Sequence, residues 1–528
     1  LSFNGDGVTT TVEATELRIG RERGVALVAL GVAARDAGGD VLFELPEVEV
    51  GLSTIALLRH QVLAPERLRV RAPKVVLVRR VDGSIGLGGT SGPAESKETL
   101  VDLELLAGIV LIEPHPDLPL SFVDLVEVEG ASVTLEDEAS GTRIEASSGA
   151  LSVVREGAAL AARASVTIDR PGRALGLQAL ARYDPVRGEI DAALDFADFR
   201  PVDLRLVEDL LPEAQAEALG QMPLDGIDLA FDARLRARTD LRARPRSTSF
   251  RIGSAGGTLA WPGQLARPLE VEGLTLIGGF DPARRRVTVE QLELVANGAT
   301  IRATGTAGLT PDGPAIRAEA SLRDVEVEQL DALWPVRAAD EARAWVTENI
   351  QAGRAPSGVV LIDIRPGDLD QRPLRKEAVT GTFAYEDLTI RYFDPLPPVE
   401  GVDGTATFDA QTMAFEAEGG RVGELRTDTA LITITGIGIK GRDTTQLEVE
   451  TTIAGPVEDA LALIDLPPFG FASELGIDPA AAGGTAVTEL DIGLPLHRDV
   501  DEVEVRIHAH STLTDVRISG LFGLADLT

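Results

Sequence analysis

Cysteine is absent from the 528 residues, and histidine is scarce, with five residues. The lack of thiols excludes disulfide bridges, cysteine-ligated zinc and thiol catalysis. Five histidines give little material for a hydrolytic triad. The sequence also has no Walker loop, no dinucleotide fingerprint after a strand and no nucleophile elbow. We therefore expect a protein that is not an enzyme and that has no cofactor and no metal site.

Aromatic residues are also few, at 4% of the chain, although hydrophobic residues as a whole make up 44%. The apolar surface is therefore mostly aliphatic. The longest apolar runs, Val25–Ala34 and Leu105–Ile112, reach at most about half of the roughly 20 residues that a membrane-spanning helix needs. Since no signal peptide is recognisable either, we expect any membrane anchor to lie outside this sequence.

Positive charge is in short supply, because 84 acidic residues face 50 basic ones and the formal net charge is −34. A field of that sign repels phosphate backbones, so nucleic acid is excluded as a partner. The same field weakens adsorption to anionic membrane surfaces. It has little effect on the insertion of acyl chains into an apolar channel.

From end to end the sequence alternates apolar and polar residues. Such runs contain Ile227, Leu229, Phe231, Ala233 and Leu235, then Leu292 and Leu294, then Leu447, Val449 and Ile453, then Val503, Val505 and Ile507. A period of two places the apolar members of each run on one face of a strand. Turn signals such as Asn297-Gly298 and Pro311-Asp312-Gly313 separate the runs at hairpin spacing, which predicts antiparallel meanders.

Helical signals are few. We predict short helices from Ser53 to His60, over Asp203–Met222, over Ala338–Asn349 and over Val457–Ile464. At typical lengths the remaining chain holds about 25–30 strands. The sequence thus predicts a mainly β fold, an elongated and curved antiparallel sheet that forms a groove, with a few short amphipathic helices.

A loose internal repeat runs through the chain. Its copies extend from Leu194 through Pro212 to Asp232, from Leu322 through Pro335 to Asp363, and from Val449 through Pro467 to Asp491. Each copy has a strand, an insert and a return strand, so the repeat predicts a sheet that grows by whole strand–insert–strand units. We divide the chain into an N-terminal β module (1–95), a first groove repeat (96–245), a second (246–370) and a third (371–528).

The predicted strands have more apolar surface than so few helices can cover. Their apolar faces must then meet each other in a closed core or meet something that is not protein. The scarcity of large rings leaves room for an aliphatic ligand. The candidate lipid-groove residues are Ile227, Leu229, Phe231, Leu235, Leu292, Leu294, Leu447, Val449, Ile453, Val503, Val505 and Ile507. The alternative is that these residues are simply core.

Polar candidates have structural interpretations. His508 and His510 are two apart on one strand, a spacing that suits a metal, but they share that face with Glu504 and Arg506, which indicates a solvated surface. The repeated acids Asp232, Asp363 and Asp491 are spaced as repeat features and not as a catalytic pair. Two rival functions remain: a structural or regulatory protein that acts through protein contacts, and a β-solenoid adhesin or glycan enzyme, which would need more aromatics.

Two segments resemble a known superfamily. Leu42–Ala72 followed by Val75–Gly88 (VVLVRRVDGSIGLG) is similar to the opening module of AsmA-like proteins. Trp334–Gly353 (WPVRAADEARAWVTENIQAG), followed by Gly381–Gly404, resembles the YhdP-like branch of that superfamily, which is related to TamB.

The resemblance implies a bacterial bridge-like lipid transfer protein. Such a protein would carry phospholipids or other acyl lipids along an apolar β-groove between the inner and outer membranes. It would lie in the periplasm, anchored to the inner membrane by an N-terminal helix. Its partners would be both membranes and, at the ends of the groove, membrane proteins. The resemblance also implies a role in outer-membrane biogenesis.

Overall fold

The structure is a computed structural model. It describes residues 2–5, 8–20, 24–35, 41–79, 85–87, 113–138, 141–170, 172–208, 217, 219–240, 245–336, 340–393, 395–439, 445–467, 469–496 and 505–518. These ranges contain thirty strands and only short helices. The predicted mainly β, antiparallel fold is confirmed. The chain divides into two compact units, Leu1–Ala255 with Gly279–Ala283, and Gly256–Gly278 with Arg284–Thr528, and the four predicted segments remain a prediction.

Sixteen of the strands in the described ranges lie in the first unit. They are β1 (Ser2–Gly5), β2 (Val8–Thr11), β3 (Ala14–Gly20), β4 (Gly24–Arg35), β5 (Val41–Leu52), β6 (Pro65–Arg71), β7 (Lys74–Arg79), β8 (Ile85–Leu87), β9 (Leu125–Asp137), β10 (Arg143–Glu156), β11 (Ala159–Arg170), β12 (Arg173–Asp184), β13 (Glu189–Phe199), β14 (Ile227–Leu229), β15 (Phe231–Thr239) and β16 (Pro245–Ser254). β2 and β3 both pair with β4, and β5 pairs with β4, β6 and β7. β9 is parallel to β6 and β7, and an antiparallel series then runs through β10, β11, β12, β13, β15 and β16.

The other fourteen strands of the described ranges lie in the second unit, except that the last three residues of β18 belong to the first. They are β17 (Gly257–Leu259), β18 (Leu269–Asp281), β19 (Arg286–Ala296), β20 (Ala299–Thr310), β21 (Gly313–Glu326), β22 (Ile350–Ile364), β23 (Val379–Ile390), β24 (Val399–Asp409), β25 (Thr412–Glu418), β26 (Arg421–Val422), β27 (Leu425–Thr435), β28 (Gln446–Pro456), β29 (Gly483–Pro495) and β30 (Arg506–Arg517). From β19 to β30 the strands pair antiparallel and in chain order, with one exception. β25 pairs directly with β27, and the two-residue strand β26 pairs with both β24 and β27.

Turn chemistry explains how the meander reverses. At the β19–β20 hairpin, Ala296 pairs with Ala299, which leaves Asn297 and Gly298 as a two-residue loop. Both loop residues have positive φ, 49° and 79°, as a type I′ turn requires. The turn predicted from this Asn-Gly pair is confirmed.

The helices are short. They are a π-helical turn (Ala56–His60), α1 (Arg205–Glu208), α2 (Leu330–Leu333), α3 (Asp340–Asn349), α4 (Val457–Ile464) and α5 (Phe471–Glu474), with 3-10 turns at Pro119–Phe122, Pro201–Leu204, Leu224–Gly226, Val327–Gln329, Asp368–Asp370, Lys376–Ala378 and Pro479–Ala481. The Ser53 hydroxyl accepts the Ala56 N–H at 3.3 Å and so caps the start of the π-helical turn. α4 has the predicted bounds, and α3 lies within its predicted range. Of the predicted helix Asp203–Met222, α1 is observed at Arg205–Glu208, and residues 209–216 and 218 lie outside the described residues. No helix in the described ranges has the length and hydropathy of a membrane span.

Three helical inserts interrupt the meander where the repeat predicts them. Insert 1 (200–226) follows β13, insert 2 (327–349) follows β21 and insert 3 (457–482) follows β28. In the second unit, β21 and β28 point the same way because an even number of antiparallel steps separates them. The C-terminal ends of β21 and β28 therefore lie along the same side of this sheet, and inserts 2 and 3 both begin on that side.

Candidate functional site

The strand registers define the two faces of each sheet, because residues directly opposite each other on paired strands share a face. In the first unit they align two apolar rows that cross eleven strands from β3 to β16. The first row is Leu17, Leu27, Val50, Leu68, Val126, Val153, Ala162, Ala181, Ala192, Ala237 and Thr248. The second is Thr15, Ala29, Val48, Val70, Val128, Leu151, Ala164, Ala179, Leu194, Leu235 and Phe250. We call these rows the first apolar face.

The first apolar face is not sealed. Every side chain in both rows keeps some solvent exposure, and Leu17, Leu151 and Leu235 are 62%, 38% and 36% exposed. The two inner faces of a β-sandwich bury such residues against each other. Because the side chains of the first apolar face are partly exposed, their hydrocarbon is accessible to solvent or to a ligand.

The second unit has matching rows, which we call the second apolar face. Its first row crosses eleven strands and consists of Leu294, Ile301, Leu322, Gly358, Phe383, Ala406, Phe415, Ile432, Val449, Ile492 and Ile507. Its second row consists of Leu292, Ala303, Ala320, Val360, Gly381, Phe408, Met413, Ile434, Leu447 and Leu494. Five predicted candidates, Leu292, Leu294, Leu447, Val449 and Ile507, are brought together here.

The middle of the second apolar face is packed more tightly. Tyr385, Leu388, Val402, Ala406 and Ala417 are buried, and two residues pack against them, Val327 at the start of insert 2 and Ile350 at the start of β22. The rings of Phe383 and Phe415 meet edge to face at 6.4 Å. Away from this cluster the face stays accessible: Leu292, Leu294 and Val449 are half-buried, and Ile507 is 44% exposed.

Tyr385 anchors this cluster. Its hydroxyl donates to the Glu416 carbonyl oxygen at 3.2 Å. Burial, assisted by the nearby carboxylates of Asp403, Glu416 and Glu418, raises the pKa of Tyr385 to about 12. The ring therefore stays neutral at physiological pH and serves packing and not proton transfer.

The remaining predicted candidates lie outside the rows described above. Leu229 is only 3% exposed, so its side chain belongs to the core and not to an accessible surface. Ile227 and Phe231 are half-buried, and Phe231 pairs with Phe199 across β13 and β15. Ile453 lies on β28 opposite Thr488 and is half-buried.

The two candidates before β30 also differ. Val505 is half-buried, whereas Val503 lies outside the described residues.

The opposite face of each sheet carries interstrand ion pairs. In the first unit Arg69 Nη2 donates to Glu127 Oε2 at 2.6 Å, and Arg234 binds Asp195. Burial alone would raise the pKa of Glu47, but hydrogen bonds and charge from Arg18 and Arg71 outweigh it and hold that pKa below its usual value. In the second unit Arg302 and Arg354 bind Glu293 and Glu386. The charged side chains of this polar face are suited to contact with water. The apolar face is therefore the side of each sheet that can contact hydrocarbon.

The predicted polar candidates have structural surroundings. His508 and His510 lie on β30 opposite Asp491 and Glu489 of β29 and are exposed. Asp363 pairs with Arg317, Arg365 and Arg375. Among the described residues, no group of three or more histidines and acids is arranged to hold a metal ion.

Sequence reasoning missed the aromatic members of the apolar faces. Phe250, Phe383, Phe408 and Phe415 all lie in the rows described above. Alternation would have found Phe383, because Thr380-Gly-Thr-Phe-Ala-Tyr has period two from Gly381 onward. The pairing of these strands was needed to show that the rings cluster.

These features define a class of protein: a mainly β chain in which each unit carries a continuous apolar face that the helices of the described ranges cover only in part. Within that class, the chain belongs to the YhdP family. The model of the YhdP protein family matches residues 235–522, more than half of the chain. The match begins within β15 and includes β16 and nearly all of the second unit. No curated protein matches the chain. The resemblance of residues 42–88 to an AsmA-like opening module stays a prediction.

Proposed function

We propose that this chain is a non-enzymatic lipid-transfer protein of the periplasm, anchored to the inner membrane by a segment outside this sequence. Acyl chains of phospholipids would lie along the apolar faces while headgroups stay in water. Both membranes, with membrane proteins at the ends of the groove, would be its partners. The observation that carries the proposal is the two pairs of apolar rows, one pair in each unit. Each row crosses ten or eleven strands and has accessible side chains. Membership of the YhdP family supports it.

Energetics favour this use of the apolar faces. Each methylene removed from water gains about 0.8 kcal/mol, so a two-chain lipid with roughly 30 methylenes faces a barrier on the order of 20 kcal/mol in crossing water. An apolar surface removes most of that barrier without any reactive group. At ~4.8 Å per strand, eleven strands extend ~48 Å along the sheet, about three times the ~15 Å depth of one leaflet's hydrocarbon. The rival function, action through protein contacts alone, needs no such continuous row.

Native mass spectrometry of the purified chain tests the proposal. We expect bound phospholipid, and we expect the double substitution Leu151→Asp, Leu235→Asp to reduce its occupancy by about tenfold or more, because a carboxylate against hydrocarbon costs several kcal/mol. The matched control is Leu361→Asp, Leu431→Asp. All four leucines are between 36% and 46% exposed, but the control pair lies on the polar face, opposite Glu319 and Glu416.

Two outcomes would count against lipid transfer. One is that the chain, purified from cells or membranes in which it was produced, carries no bound phospholipid. The other is equal lipid occupancy in the apolar-face and polar-face variants, provided that circular dichroism shows both to be folded.

A further inference from the structure

The polar face of the first unit carries a row of residues that the lipid proposal does not use. The registers from β10 to β16 place Ser152, Arg163, Leu180, Ala193, Arg236 and Ser249 directly opposite one another in sequence. The row is nearly symmetric: a serine and an arginine at each end, with two apolar residues between them. It contains no acidic residue. We call it the arginine row.

A shallow cavity of about 690 Å³ lies over this row. Its lining includes all six members of the row, together with Glu156, Arg182, Asp191 and Arg238 from the neighbouring positions. Volumes of roughly 300–1,000 Å³ are typical of ligand sites. Four arginines and two acids line the cavity, so its local charge is positive although the chain as a whole carries −34.

The arginines of the cavity fall into two kinds. Arg182 binds Glu156 at 3.4 Å, and Arg238 binds Asp191 at 3.1 Å, so both local acids are already neutralised. In the described part of the chain, Arg163 and Arg236 have neither an ion-pair nor a hydrogen-bond partner among protein groups. Both side chains are exposed to the cavity. Two guanidinium groups thus remain free to bind an anion.

The spacing of the two unpaired arginines suits a ligand with two anionic groups. Three strand steps separate Arg163 from Arg236, which is ~14 Å between backbones, a distance that two flexible arginine side chains can shorten when they turn toward one ligand. Planar guanidinium groups bind phosphoryl oxygens with paired hydrogen bonds. The hydroxyl groups of Ser152 and Ser249 add donors behind each arginine. We propose that the arginine row is a binding site for ligands that present two phosphoryl groups, one to Arg163 and one to Arg236. This site does not depend on lipid transfer along the apolar face.

Calorimetric titration of the full chain with inorganic pyrophosphate tests the site. We expect saturable binding that Arg163→Gln, Arg236→Gln weakens by about tenfold for each arginine removed, since each loses charge-assisted hydrogen bonds. Arg163→Lys, Arg236→Lys keeps the charge but not the paired geometry and should bind with intermediate affinity. The control Arg302→Gln, Arg421→Gln removes the same charge from arginines that pair with Glu293 and Glu400 in the second unit, and it should bind as the parent does.

Vesicles distinguish the source of the phosphoryl groups. Sedimentation with phosphatidylcholine vesicles, with and without phosphatidylglycerol, shows whether clustered lipid headgroups occupy the row. Binding to pyrophosphate or to phosphatidylglycerol vesicles supports the site only if it is lost in Arg163→Gln, Arg236→Gln and kept in the control. Absence of binding to both probes, or binding that the glutamine variant leaves unchanged, overturns it. Loss of co-purified lipid in the apolar-face variant is a separate result, so the two proposals fail independently.

Discussion

Asp203→Asn is expected to destabilise the junction between β13 and insert 1 by about 3 kcal/mol, the lower end of the range for breaking a buried ion pair. The Asp203 side chain is 1% exposed and binds both Arg173 and Arg170. Its other oxygen accepts the Arg200 N–H at 2.8 Å. The amide keeps the shape but loses the charge, so two arginines that are themselves mostly covered are left without a counter-ion.

Hydrogen exchange measured by mass spectrometry on peptides from β12 and β13 is the appropriate assay, because a large repetitive chain need not unfold in one step. A loss of about 3 kcal/mol corresponds to exchange about 100-fold faster. The control is Asp228→Asn, which removes the partner of Arg200 at the surface, where an ion pair contributes about 1 kcal/mol or less. Equal effects of the two substitutions would contradict the assignment of Asp203 as the buried anchor.

Gly404→Ala is expected to have an effect of similar size in the second unit. Gly404 has a φ of 155°, in a region that residues with a side chain rarely adopt, and it lies on β24 opposite Tyr385 and Ala417. A Cβ atom there would overlap the Glu416 carbonyl oxygen and lie 2.6 Å from the Tyr385 hydroxyl oxygen. Backbone strain contributes about 1–3 kcal/mol, and displacing packed neighbours costs about 1–3 kcal/mol more.

The expected result is faster exchange in β23, β24 and β25 and a lower urea midpoint for the second unit. Gly483→Ala in β29 is the control, because no atom lies within 4 Å of its Cβ position, and we expect a change within about 0.5 kcal/mol. If Gly404→Ala changed the stability as little as Gly483→Ala does, Tyr385 would not pack closely over β24 as described.

The strands and their turns could be predicted from the sequence because they depend on local chemistry. Alternation predicted Leu292 and Leu294 of β19, Leu447 and Val449 of β28, and Ile507 of β30, and Asn297-Gly298 predicted the hairpin between β19 and β20. α4 could be predicted because its apolar spacing and its first-turn acids, Glu458 and Asp459, are local signals.

Contacts between distant strands could not be predicted in this way. Leu229 fits the alternation of its strand, yet it is buried where insert 1 returns to the sheet, and nothing in the local pattern indicates that cover. The arginine row combines residues up to 97 positions apart, from Ser152 to Ser249, and only the registers align them. Asp203 likewise forms ion pairs with Arg173 and Arg170, which lie about 30 positions earlier in the sequence. The alternation of a strand shows which face of the sheet a residue lies on. Only the pairing of the strands shows which residues lie next to it.

Site-resolved photocrosslinking tests the central claim, that accessible hydrocarbon lines one face of the sheet. A phospholipid with a photoreactive group at the end of an acyl chain would be incubated with the chain, and adducts on β28 would be mapped by mass spectrometry. β28 offers an internal comparison, because Leu447 and Val449 lie in the second apolar face while Glu448 and Glu450 point to the other side. We predict adducts at Leu447 and Val449 with none at Glu448 and Glu450. Adducts spread evenly over all four residues, or none on the strand, would contradict the account.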